Sequence, residues 1–241
     1  MKKNENNNNK IKKIKKPATT EDLELYSYVT ERAKRISEEV AEFVKNSQYD
    51  KGGIIFVYGV QNSGKTIVAC EVLDNLSNSQ RKVIAIQPDV KRSDVLKGVY
   101  YSRSGVERKV KSFSTKTDIA KIFNEADVVL VDEVHFIPYE LQVNFLKETM
   151  AFIERGGWLI AIGVLATSQG GEFLLSAVLK DRATKLYELT ATCQKCGRKG
   201  ARYNQRLING LPTVSEDPEL LAPSDIVVYE PRCEDCRVNV G

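Results

Sequence analysis

Apolar positions recur along this chain in two periods, and the two periods alternate. Residues 53–58 (GIIFVY) form a short, β-branched run that predicts a buried strand. Residues 67–76 follow with helix spacing, placing Val68, Val72 and Leu76 on one face. The alternation continues: 82–86 predicts a strand, 117–124 a helix and 127–131 a strand. A helix over 139–154, closed by Gly156-Gly157, then leads into a strand over 158–162. Strands separated by helical stretches predict an α/β fold, a mostly parallel sheet flanked by helices with right-handed crossovers.

Three segments fall outside this rhythm. Upstream, a helix opening at Thr19 or Thr20 carries Leu23, Tyr26, Ala33, Ile36, Val40 and Phe43 at three- and four-residue steps. That stripe must pack on something, either the body of its own chain or a second copy. Residues 91–113 are polar and serine-rich and predict a long mobile loop or hairpin. From Thr184 onward, cysteines, glycines and prolines mark a separate lobe. The expected organisation is a basic Asn/Lys arm over 1–18, an amphipathic helix over 19–47, a nucleotide-binding domain over 52–190 and a zinc-binding lasso domain over 191–241.

Charge changes the picture at one end only. Residues 1–16 carry seven lysines and one glutamate, a net +6, against +4 for the whole chain; the remainder is therefore 4 − 6 = −2. The folded body is near neutral, so the basic balance reports the arm rather than a nucleic-acid-binding face. The low-complexity arm is expected to be disordered, with weak nucleic-acid or partner contact as its one binding role. No run reaches the roughly 18 apolar residues that cross a bilayer, and the basic start is followed by threonines and acids rather than an apolar core. A cytoplasmic chain is expected, in which five cysteines serve as metal ligands or free thiols.

The candidate chemistry begins where the first strand ends. Gly59-Val60-Gln61-Asn62-Ser63-Gly64-Lys65-Thr66 spells G-x-x-x-x-G-K-T between a predicted strand and a predicted helix. Such a P-loop aims backbone N–H groups and a helix N-terminus at an anion. Lys65 can reach the β- and γ-phosphates of ATP, and the Thr66 hydroxyl can bind Mg²⁺. The strand at 128–131 ends in Asp132 and Glu133. An acid at that place holds the Mg²⁺ shell, the role expected of Asp132. The next acid lies at the mouth of the site, where Glu133 can align or deprotonate a nucleophile. His135, the only histidine, is expected to be a hydrogen-bonded structural residue. Asp132-Glu133-Val134-His135 also reads as a helicase D-E-x-H box, but a helicase needs a second domain of similar size. Cys193-x-x-Cys196 and Cys233-x-x-Cys236 offer four thiolates at spacings that suit tetrahedral Zn²⁺ and would pin the segment between them as a lasso. With four sulfurs that ion would hold shape and do no chemistry. Cys70, inside the helix after the P-loop, reads as core.

A P-loop, an acidic strand end and a two-knuckle lobe, in this order, resemble the type II thymidine kinases. Lesser matches agree: Asp132-Glu133-Val134-His135-Phe136 is similar to that family's D-E-x-Q-F. Leu189-Thr190-Ala191 is similar to its approach to the first knuckle, and Asn204-Gln205-Arg206-Leu207 and Tyr229-Glu230-Pro231-Arg232-Cys233 to its Q-R-L and Y-x-P-x-C elements. The resemblance implies transfer of the ATP γ-phosphoryl group to the 5′-hydroxyl of thymidine or deoxyuridine, with Glu133 as general base and Asp132 on Mg²⁺. It also implies a nucleoside pocket containing Phe136, Val164, Thr190 and Tyr229, structural Zn²⁺, and a homotetramer. Departures fall in that pocket. Gln61-Asn62 replaces an apolar pair, Leu165 an aspartate, and Ser168 a base-stacking aromatic, while Lys91-Arg92-Ser93 stands where a D-x-R element belongs. These departures leave a second expectation open: a P-loop ATPase or nucleotide-binding relative with a regulatory or binding role.

Overall fold

The computed structural model describes residues 20–89, 98–101, 107–213 and 227–238. The Asn/Lys arm over 1–18 and the Lys91-Arg92-Ser93 segment lie outside the described residues. The chain opens with α1 (Thr20–Asn46), β1 (Gly53–Gly59), α2 (Lys65–Ser77) and β2 (Val83–Pro88). Three short strands follow, β3 (Val99–Tyr101), β4 (Glu107–Lys109) and β5 (Lys111–Phe113). Next come α3 (Ile119–Asn124), β6 (Val128–Val131), a 3-10 turn (Val134–Phe136), α4 (Tyr139–Glu154) and β7 (Trp158–Gly163). Helix α5 (Leu174–Arg182) leads into β8 (Lys185–Leu189). The remainder is β9 (Ala191–Thr192), β10 (Lys199–Ala201), β11 (Tyr203–Ile208), β12 (Leu211–Pro212), β13 (Val227–Arg232) and a second 3-10 turn (Glu234–Cys236).

Six strands form one parallel sheet in the order β5-β2-β6-β7-β1-β8. Every residue of β6 and β7 is buried, as strands covered by helices on both faces require. Alternate side chains of each strand enter opposite layers. Ile55, Val57, Leu130, Ile160 and Ile162 meet α1 and α2, through residues such as Val40, Val44, Val68 and Leu76. Ile54, Phe56, Val129, Val131 and Leu159 meet the other helices, through Ile122, Phe145, Phe152 and Leu179. From Ala33 on, the α1 stripe is spent on its own chain: Ala33, Ile36, Val40 and Val44 are buried, and Phe43 meets Trp158 edge-on with ring centroids 5.2 Å apart.

Parallel strands point their C-terminal ends to one edge, so the P-loop after β1, Asp132 after β6, Val164 after β7 and Thr190 after β8 all lie along it. One strand, β7, stands between the P-loop strand and the strand that ends at Asp132.

One expected boundary moves, and two elements were not expected. In its described part the stretch over 91–113 is the hairpin rather than the loop of the two expected forms, and its end adds β5, the edge strand beside β2, anchored by fully buried Phe113. Strands β3 and β4 pair antiparallel within it, and buried Tyr100 ties this hairpin to the sheet. The change of pattern expected at Thr184 comes after Leu189, since Lys185–Leu189 pairs with β1 as the sixth parallel strand. Helix α5, too short to show a clear period, went without prediction.

Candidate functional site

Glycine is required at the turn out of β1. A Cβ on Gly59 would stand 2.5 Å from both the Leu189 carbonyl and Ser63 Oγ, so the chain passes too close to β8 for any side chain. Asn62 and Gly64 adopt positive φ (61° and 90°), and Gly64 leads directly into α2. The first turn of α2 therefore faces the loop with its N–H groups, a ready anion site. Lys65 is 7% exposed and folds back over the loop, donating from Nζ to the carbonyls of Gly59 (3.1 Å) and Val60 (2.8 Å). Ser63 Oγ is buried with no hydrogen-bond partner. Gln61 donates its backbone N–H to Asn204 Oδ1 at 2.8 Å, joining the P-loop to β11 of the lobe.

Asp132 is 1% exposed. Its Oδ1 accepts from the Glu133 N–H at 2.9 Å, and Oδ2 is buried without a hydrogen-bond partner. Burial, and then the Glu133 carboxylate beside it, raise Asp132 above the usual carboxylate range; Thr66 and Lys65 act in the opposite direction. An unpartnered carboxylate oxygen beside a threonine hydroxyl fits a hard divalent cation such as Mg²⁺. Glu133 sits at φ 56°, a left-handed conformation that costs a non-glycine residue about 1–2 kcal/mol. His135 Nδ1 accepts from the Val164 N–H at 3.2 Å, which puts the imidazole proton on Nε2, 3.5 Å from Glu133 Oε2. His135 is a buried, hydrogen-bonded residue that ties the β6 end to the β7 end. Its ring lies against Phe136 at 4.2 Å and Phe173 at 5.1 Å between centroids.

Tyr100 is a functional neighbour that sequence reasoning missed. Its hydroxyl lies 2.7 Å from the Ile86 carbonyl and 3.0 Å from that of Leu130, and accepts from the Asp132 N–H at 3.2 Å. The only signal was one tyrosine pair in an otherwise polar stretch.

Of the predicted nucleoside residues, Val164 lines a cavity of about 240 Å³ that also touches Gly59, Leu165, Ser168, Glu188 and Asn204. Phe136, Thr190 and Tyr229 do not line it. Thr190 is 2% exposed and its Oγ1 lies 3.0 Å from the Tyr28 hydroxyl. Tyr229 pairs with Arg206 across β13 and β11. Arg206 is 1% exposed, and none of its three guanidinium nitrogens has a hydrogen-bond partner.

Cys193, Cys196, Cys233 and Cys236 bring all four Sγ atoms within 4.8 Å of one another. Burial raises the Cys193 thiol, but backbone N–H groups of Cys233, Lys195 and Cys196 outweigh it and bring it down to about 6. The neighbouring sulfurs push Cys236 up to about 12. Four thiols this close need a cation to ionise together, and four soft donors within tetrahedral reach fit Zn²⁺. Cys70 is fully buried, and burial pushes its thiol up to about 12, as a core residue requires.

A strand, P-loop and helix facing an acidic strand end, with a four-cysteine centre alongside, define a nucleotide-binding α/β protein of the P-loop class. A family model described as "Thymidine kinase" matches residues 52–237. The chain belongs to the thymidine kinase family. It is 34% identical over 109 residues to a thymidine kinase of Thermococcus kodakarensis, covering 45% of this chain and 52% of that relative. It is 27% identical over 184 residues to a thymidine kinase of Enterococcus faecalis, covering 75% of this chain and 91% of that one. The match thus spans about half the first relative and most of the second. Among solved structures, domain III of the Thermotoga maritima replication initiation protein DnaA is similar at 12% identity and a TM-score of 0.43, over 72% of this chain and 64% of that chain. No helix among the described residues is long and apolar enough to cross a membrane.

Proposed function

We propose that this chain transfers the γ-phosphoryl group of ATP to the 5′-hydroxyl of thymidine or deoxyuridine. One observation carries the reading: Asp132 at the end of β6 is buried with Oδ2 unpartnered and lies close enough to Thr66 and Lys65 of the P-loop for both to lower its pKa, with Glu133 next in the chain. In a family-matched chain that meeting joins a phosphate cradle to a base. Lys65 exchanges the Gly59 and Val60 carbonyls for β- and γ-phosphate oxygens. Glu133 accepts the 5′-hydroxyl proton as the new O–P bond forms, and the electron pair of the broken bond leaves on ADP. Mg²⁺, held by Thr66 and Asp132, supplies neutralisation of the phosphate charge when bound.

Phe136, Val164, Thr190 and Tyr229 surround the nucleoside in this reading. Zn²⁺ on Cys193, Cys196, Cys233 and Cys236 fixes the ends of the segment that closes over it. Closure keeps water from the γ-phosphate and limits hydrolysis. A homotetramer and a cytoplasmic setting belong to the same reading.

Purified protein with ATP, Mg²⁺ and each deoxynucleoside in turn tests it, with nucleoside monophosphate resolved from free phosphate. Thymidine or deoxyuridine monophosphate is the expected product. Free phosphate alone would instead support a P-loop ATPase. One observation favours that second reading: Leu165 and Ser168, not an acid and an aromatic, line the cavity beside the P-loop.

A further inference from the structure

The hairpin of β3 and β4 grips two elements of the site with one face. Tyr100 and Arg108 stand directly opposite each other in the antiparallel pair, so their side chains project to the same side. Tyr100 is fully buried in the layer that holds Val68, Cys70 and Leu130, and it reaches the place where β2 and β6 end. Its hydroxyl lies 2.7 Å from the Ile86 carbonyl and accepts from the Asp132 N–H at 3.2 Å. Arg108 reaches α2 instead. Its Nε donates to Asp74 Oδ1 at 2.6 Å and its Nη2 donates to Oδ2, a bidentate ion pair. Helix α2 carries Thr66 in its first turn, and β6 leads into Asp132. The hairpin therefore ties the helix that bears the Thr66 hydroxyl to the residue that bears the unpartnered Oδ2.

The Asp132 carboxylate is tied at Oδ1 to the N–H of the very next residue, while Oδ2 is buried without a hydrogen-bond partner. The aim of this side chain therefore follows its main chain, and the Tyr100 hydroxyl holds that main chain at the N–H. A carboxylate ligand binds a cation more tightly when its aim is fixed before the ion arrives, because less ordering remains to be done. We propose that Tyr100 is a positioning residue for the divalent cation of the nucleotide complex, acting through the main chain of Asp132. The inference rests on the reading of Asp132 as a cation-shell residue and is independent of which hydroxyl accepts the phosphate. Arg108 supports Tyr100 by holding the hairpin on α2. With its two side chains 39% and 41% exposed, that ion pair contributes less than the buried hydroxyl.

Mn²⁺ titrated into the full chain with ADP, and counted by its paramagnetic resonance signal, reads the cation site without turnover. Wild type is compared with Tyr100→Phe, Asp132→Asn, the double variant and Arg108→Ala, with thermal midpoints and ADP affinity in a chelator measured alongside. Tyr100→Phe keeps the ring in its layer and removes only the hydroxyl. It is expected to weaken Mn²⁺ binding about tenfold, as loss of a group that orients a metal ligand does, with cation-free ADP affinity held within about twofold. In the Asp132→Asn background it is expected to add nothing further. Arg108→Ala is expected to weaken Mn²⁺ binding about twofold, and it decides the matter if Tyr100→Phe does not fold. Equal losses with and without the Asp132 carboxylate overturn the proposal. So does a lower thermal midpoint with unchanged Mn²⁺ affinity, which is what a merely structural tyrosine gives, or an unfolded Tyr100→Phe beside an unchanged Arg108→Ala. If Asp132→Asn binds Mn²⁺ as wild type does, the cation reading of Asp132 falls and this inference with it. If Asp132→Asn binds weakly and Tyr100→Phe normally, this inference falls alone. Failure to phosphorylate any nucleoside overturns the kinase reading and leaves the Mn²⁺ result in force.

Discussion

The parallel sheet and the cysteine lobe hold their functional groups in opposite ways. Around the sheet, two continuous apolar layers fix Lys65, Thr66 and Asp132, and each buried Ile, Leu or Phe contributes roughly 1.5–3 kcal/mol. In the lobe, the buried apolar cluster among the described residues is Cys193, Ala201 and Cys233, with Cys236 packed beside it. Its other interior positions include Gln205 and Arg206, both under 5% exposed. A core of that composition cannot hold three strands in register. The sheet is thus rigid by packing, while the lobe, in the proposed reading, depends on its metal.

Metal removal is the strongest way to break that contrast. Structural Zn²⁺ contributes about 10–16 kcal/mol of apparent binding free energy in small zinc-folded peptides, far beyond what a three-residue cluster can replace. Chelation, or Cys233→Ala, is expected to unfold residues around β9–β13 while the sheet keeps its own thermal transition and its ATP affinity. Calorimetry beside ATP titration reads both. A single transition that falls as a whole would mean that the lobe and the sheet stabilise each other as one unit.

Glu133→Gln sharpens the contrast from the other side. It keeps size and the left-handed turn, and removes only the ability to take a proton. The expected result is a fall in kcat of about 10²–10⁴ with ATP and thymidine affinities retained, because general-base catalysis is worth that much and contributes little to ground-state binding. Single-turnover transfer and equilibrium binding separate the two quantities. Near-normal transfer would remove Glu133 from the mechanism.

How much of this was legible in the chain follows the same division. The sheet was readable because buried parallel strands such as VVLV and helices such as that over Tyr139–Glu154 carry strong periods, and the G-x-x-x-x-G-K-T signature fixes its own local geometry. The four cysteines were readable because ligand spacing is short-range. Contacts between distant elements were not. Nothing in a spacing pattern brings Tyr28 to Thr190, Tyr100 to Asp132, or Asn204 to the Gln61 N–H, since each depends on the docking of whole elements. The edge strand β5 was hidden for a related reason: three residues with one buried side chain are too short to show a period.

The smallest expected effect concerns one side chain at the boundary between the two regions. Ser168 lines the cavity beside Val164 and Leu165, at the place where the family resemblance puts a base-stacking aromatic. Base–aromatic stacking is worth about 1–3 kcal/mol per base. Ser168→Phe is therefore expected to lower the thymidine KM by about tenfold, with kcat and the ATP KM nearly constant, provided the nucleoside lies along this wall. A raised thymidine KM would mean that the ring fills the space the base needs, and that the chain has already used the missing aromatic's volume to seat a different nucleoside. Comparing the variant with thymidine and with the other deoxynucleosides distinguishes these outcomes. Selectivity set in the lobe and in the loop after β7 would then be adjustable without disturbing the packed end that handles phosphate.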